Sequence, residues 1–90
     1  MYEYEVEKEK LFTDEGQRLF IGVRDSVKRM LNKSGAVTMG HAMELPSGVG
    51  AADSWVLMAA VDRLVELKEI REIPQTNVPG QCRVFVPIYR

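Results

Sequence analysis

The sequence predicts an α+β domain in which three helices precede a two-stranded C-terminal hairpin. Three observations predict it. Apolar residues recur at helical spacing between Thr13 and Gly35, and a second stripe of the same period runs through residues 53–68. Two short β-branched runs near the C-terminal end then flank a segment rich in proline and glycine, the pattern of a hairpin. A chain of 90 residues has room for one hydrophobic core, so residues 1–90 read as a single domain with 13–90 as its body.

Residues 1–12 alternate, with Tyr2, Tyr4 and Val6 on one side and Glu3, Glu5 and Glu7 on the other. A period of two predicts an extra N-terminal strand with a glutamate edge in water; a charged tail is the alternative. The first helix begins at Thr13, whose hydroxyl suits an N-cap, and Asp14 and Glu15 suit the positive end of the helix dipole. Its inner stripe is Leu19, Phe20, Val23, Val27, Met30 and Leu31; Arg18, Arg24, Asp25, Lys28 and Arg29 take the other face. Asn32-Lys33-Ser34-Gly35 ends it, with Gly35 as a left-handed cap residue.

Residues 36–38 give one extended step. A short second helix follows over 39–45, broken by Pro46-Ser47-Gly48-Val49-Gly50. The third helix runs from Asp53 or Ser54 to Lys68, with Leu57, Ala60, Val61 and Leu64 facing inward. Strands over 70–73 and 83–88 are joined by a turn at 74–80.

The apolar fraction of 46% and charged fraction of 28% fit a globular protein. No apolar run approaches the roughly 20 residues that span a bilayer. The first residues also lack the basic-then-apolar order of a secretory signal. A single cysteine, Cys82, allows no internal disulfide, so a cytoplasmic location and no membrane partner are expected. The net charge of −1 argues against nucleic-acid binding by bulk electrostatics. Its distribution is uneven: residues 13–33 and 70–90 each sum to +2, and residues 53–69 to −2, which leaves the third helix acidic.

Catalytic chemistry finds little to use. His41 is the lone histidine and Cys82 the lone cysteine, so neither a zinc site nor a histidine-rich metal site can be assembled in one chain. No cofactor, metal or catalytic residue is expected, and Cys82 reads as a buried structural thiol at the start of a strand. Gly48-Val49-Gly50 precedes a helix, but no strand comes before it, no third glycine completes it and no lysine follows; it reads as a turn.

Residues 57–73, Leu-Met-Ala-Ala-Val-Asp-Arg-Leu-Val-Glu-Leu-Lys-Glu-Ile-Arg-Glu-Ile, resemble the third helix and first wing strand of small winged-helix transcription regulators. The resemblance covers about residues 13–88 and is carried mostly by core spacing. Two departures stand out. Lys68-Glu69 replace the usual glycine between third helix and wing, and the turn over 46–52 is longer than that of a tight helix-turn-helix.

The resemblance implies a DNA-binding regulator whose third helix enters the major groove of duplex DNA. It implies Ser54, Met58 and Arg63 on that helix, and Arg71 and Arg83 on the wing, as contacts. Residue chemistry pulls the other way. With Leu57, Val61 and Leu64 inward, Trp55, Ala59, Asp62 and Glu66 point outward, and among these and their flanking residues only Arg63 offers the hydrogen-bond fork that base edges require. The hairpin tip at 75–80 holds no lysine or arginine, and the bases of the first helix read as a solvated face.

The alternative function is therefore a protein-interaction or dimerisation module that keeps the scaffold without reading DNA. Tyr2, Tyr4, Trp55 and Met58 would supply its contact surface, unless Trp55 is tucked into the core. A homodimer is expected on three grounds: a small core, a terminal strand in need of a partner, and outward apolar residues on the third helix.

Overall fold

A computed structural model of the chain describes residues 1–44, 54–74 and 82–88. The breaking turn at 46–50 with its Gly48-Val49-Gly50, the start of the third helix at Asp53 and the hairpin tip at 75–80 lie outside the described residues.

The fold is α+β: four helices and a small three-stranded antiparallel sheet among the described residues. In chain order these are α1 (Tyr4–Glu7), a 3-10 turn (Lys8–Phe12), α2 (Asp14–Ser34), β1 (Val37–Thr38), α3 (Met39–Ala42), α4 (Ser54–Glu66), β2 (Ile70–Ile73) and β3 (Val84–Pro87). None of these helices is long and apolar enough to cross a membrane.

The ends of α2 follow from its sequence. Thr13 caps it by accepting the Gly16 amide at 2.9 Å. Gly35 closes it at φ 81°, with its amide donating to the Leu31 carbonyl at 2.8 Å. Of the stripe its spacing predicts, Leu19, Val23, Val27 and Leu31 are buried and Phe20 and Met30 are half-buried against the core.

Helix α4 buries Leu57, Ala60, Val61 and Leu64 as expected, and Ala59 as well. Ala59 was expected to point outward and instead is fully covered. The reason is that α4 lies between two neighbours, α2 on one side and the N-terminal segment on another, so more than one face is removed from water. The helix also stops at Glu66 rather than running to Lys68. Lys68 takes a left-handed conformation, φ 63°, where its amide donates to Val65 at 3.0 Å and the Glu69 amide donates to Leu64 at 2.9 Å. That bond pair is a Schellman closure with lysine in the place glycine usually holds.

In the sheet, β3 is central and β1 and β2 are its edges; Phe85 stands opposite Val37 on one side and Glu72 on the other. The single extended step at 36–38 thus becomes a paired edge strand, and strand 83–88 narrows to Val84–Pro87. The second helix is one turn, Met39–Ala42, capped by Thr38 on the His41 amide at 3.3 Å. Phe85, Met39, Leu64, Ile70, Val23, Val27 and Val61 are the large side chains at the centre of the core, joined by Leu11 from the N-terminal segment.

The expected N-terminal strand is not formed. Residues 4–12 are helical, and the Val6 and Glu7 amides both donate to the Glu3 carbonyl, at 3.2 and 3.0 Å. Tyr2, Tyr4 and Val6 do not share an inner face, since Val6 is 57% exposed while Glu7 is buried. The operative spacing is Tyr4, Lys8 and Leu11, the period of a helix, and glutamate and lysine favour that state. With its backbone bonded in helical turns of its own chain, the segment has no need of a neighbouring strand. The homodimer expectation loses that ground.

Candidate functional site

The N-terminal segment, α4 and the hairpin meet at a cluster of hydrogen-bonded charges. Asp62 and Glu66 lie four residues apart on α4, hence on one face and about 6 Å apart along the axis. The Tyr2 hydroxyl donates to Asp62 Oδ2 at 2.6 Å, and the Tyr4 hydroxyl donates to Glu66 Oε1. Lys8 Nζ donates to Glu66 Oε2 at 2.9 Å and stands over the Tyr4 ring, 5.4 Å from its centre. Two phenols and one ammonium of the first eight residues thus converge on two carboxylates of α4.

The hairpin adds its own cation. Arg83, just ahead of β3, donates through Nη2 to Asp62 Oδ1 at 2.7 Å and to Glu72 Oε1 at 2.8 Å, and through Nε to Glu72 Oε2 at 2.9 Å. Its guanidinium lies 5.4 Å from the centre of the Phe85 ring. Arg63 donates to Glu66 Oε1 at 2.8 Å and lies 5.3 Å over the Phe12 ring. Each cation expected to face nucleic acid from α4 or β3 is thereby bonded to a carboxylate of its own chain.

Proton affinities record the same contacts. Hydrogen bonds from Tyr4, then Lys8 and Arg63, hold the Glu66 carboxyl down to about 2. Arg83 keeps Glu72 below the usual carboxylate range by hydrogen bonding, and Glu72, followed by Asp62, holds the proton more firmly on Arg83. Partial burial raises the Tyr2 and Tyr4 phenols, and donation to Asp62 and Glu66 raises them further. At neutral pH Tyr2 and Tyr4 are therefore neutral phenols, and Glu66, Glu72 and Arg83 are charged.

The candidates from the sequence are distributed unevenly. Tyr2, Tyr4, Arg63 and Arg83 come together, but on their own chain. Ser54 is exposed at the first turn of α4, Trp55 beside it is 39% exposed, and Met58 is half-buried against the core. Arg71 is exposed on β2. Cys82 is exposed rather than buried, because it precedes the first paired residue of β3 and falls outside the sheet. Sequence reasoning missed the acceptors: Asp62 and Glu66 register there only as outward residues of an acidic helix. The signal was available, since tyrosines at 2 and 4 with a lysine at 8 supply donors that an acidic helix face needs.

Away from this cluster, a shallow depression is lined by Met30, Lys33, Ser34, Ala36, Val37, Thr38 and His41. His41 Nδ1 lies 3.7 Å from Glu44 Oε2, and both side chains are exposed. Among the described residues no group of three or more histidine, cysteine, aspartate or glutamate side chains is placed to hold a metal ion.

Comparisons with protein-family models, with curated proteins and with solved structures find no match to this chain.

Proposed function

We propose that this chain is a protein-interaction module on a winged-helix-like scaffold, working by docking rather than by reading base edges or by catalysis. The element order α2-β1-α3-α4-β2-β3 and the sheet order β1-β3-β2 support the scaffold. The observation that carries the function is the state of α4. Its Asp62–Glu66 face is engaged by a peptide segment through phenol and ammonium donors, while Arg63 and Arg83 are occupied by carboxylates. A groove-reading helix relies on free hydrogen-bond forks and on cations facing the phosphates; a docking helix needs a polar pattern that a peptide can match.

One observation favours a second reading, a regulator that contacts duplex DNA through its phosphates. Lys68, in the turn after α4, and Arg71 on β2 are both exposed. A titration of the folded full-length chain against a fluorescently labelled random-sequence duplex at low salt separates the two. The docking reading expects no rise in anisotropy beyond that of a neutral control protein. Binding that falls steeply with added salt, and that Arg71→Ala weakens, would replace it with the DNA reading.

A further inference from the structure

Residues 1–12 are held to the body in two different ways. The C-terminal part is built in. Leu11 is 1% exposed in the core, its carbonyl accepts from Gln17 Nε2 at 2.6 Å, and the backbone at Lys10 and Leu11 lies against Gly16 with no room for a Cβ between them. The part ahead of it is held less deeply: Tyr2 and Tyr4 lie half-buried against the edge of the core and bond α4 through their hydroxyls, Lys8 does so through its ammonium, and Glu7 is buried, while Met1 and Val6 stay largely in water. Half-buried contacts of this kind hold less firmly than the built-in Leu11, so this part opens more readily than the part that follows it.

The fit is also incomplete in charge. Glu3, Glu5 and Glu9 alternate with the donors and are exposed, so the segment that bonds two carboxylates carries negative charge of its own. The same donors carried without those glutamates would bind the face more strongly. Against this weakness stands covalent attachment, which gives the segment a high effective concentration at α4.

We infer that the Asp62–Glu66 face of α4 is a docking surface for a partner-protein segment carrying tyrosine with lysine or arginine, and that residues 2–8 are a strap holding it in cis. The inference rests on the docking reading above and adds the chemistry of the partner and the competition that regulates it. Arg83 and Glu72 keep Asp62 fixed whether or not the strap is down, so the surface persists when uncovered.

The test uses the full chain and a labelled synthetic peptide with the sequence of residues 1–10 in which Glu3, Glu5 and Glu9 are glutamine. Its affinity is measured by fluorescence anisotropy for the unaltered chain and for the full-length variant Tyr2→Phe, Tyr4→Phe, Lys8→Met, whose strap has lost its three donors to α4. The variant should bind the peptide on the order of tenfold or more tightly than the unaltered chain. Adding Asp62→Asn and Glu66→Gln should remove the gain. Equal affinity for the two chains, or a gain that survives loss of both carboxylates, overturns the inference.

Should the variant fail to fold, hydrogen exchange in the unaltered chain decides instead. Saturating peptide should speed exchange at residues 4–8 and leave α2 unchanged; no change at 4–8 overturns the inference. The duplex titration does not involve the strap peptide, so failure here and failure of the docking reading are separate results.

Discussion

Lys68 occupies a left-handed backbone conformation at φ 63°, and a side chain with a Cβ strains there by about 1–2 kcal/mol. Glycine would adopt it freely while losing more chain entropy on folding. Lys68→Gly should therefore raise the free energy of unfolding by about 1 kcal/mol, read from urea midpoints at constant slope. A lower midpoint would show that the lysine makes a compensating contact. Because no glycine marks this corner, the sequence let the helix run on to Lys68, and the Schellman closure at Glu69 could not be read from residue types. Glu66 gives a second residue-scale expectation. Its carboxyl is lowered from 4.5 to about 2 in the folded chain, so its contribution is fully present above pH 4.5 and is lost as pH falls toward 2. Acid titration followed by circular dichroism should show stability falling across that window, and Glu66→Gln should flatten part of the fall. An identical acid limb in the variant would mean that its hydrogen bonds do not persist in solution.

At the scale of elements, the junction of the 3-10 turn with α2 is set by Gly16. A Cβ there would come within 2.1 Å of the Lys10 carbonyl oxygen and 2.7 Å of the Leu11 Cα, both backbone atoms that cannot swing aside. On helix propensity alone Gly16→Ala would be favourable by about 1 kcal/mol. Overpacking should reverse the sign, with a net loss of about 1–3 kcal/mol and faster proteolysis ahead of Thr13. A gain in melting temperature would show that the turn is not seated there. The elements legible in the sequence are those with their own signals: Thr13 and Gly35 bound α2, and Leu57, Ala60, Val61 and Leu64 orient α4. The N-terminal segment was misread because Tyr2, Tyr4 and Val6 fit a period of two over a span too short to exclude a period of 3.6. Leu11 and the acceptors on α4 break that tie, and both lie beyond the alternating stretch. The candidate site suffered for the same reason. Its N-terminal donors and their acceptors are some 60 positions apart in the chain, as Tyr2 and Asp62 show, and no local pattern pairs them.

For the molecule as a whole, Arg83 is the tie among three parts. It bonds α4 through Asp62 and β2 through Glu72, and Asp62 in turn accepts from Tyr2 of the N-terminal segment. Replacing Arg83 by methionine keeps bulk over Phe85 but leaves two partly buried carboxylates without their cation. The expected loss is about 2 kcal/mol, with Tyr2 less firmly held; a stability change under about 0.5 kcal/mol would show the network to be solvated decoration. The sheet carries a different consequence, one concerning the order in which the chain is made. β3 is the last strand in sequence and the middle strand in space, and β1 and β2 pair with it but not with each other. While the polypeptide is being synthesised, both edge strands must therefore wait, their backbones unbonded to any sheet, until residues 84–87 emerge. A nascent chain halted before Val84 possesses helices and two would-be edges but no ladder, and Phe85, the largest side chain of the core, is still missing. Translation of this protein delivers its central strand only after everything that strand organises.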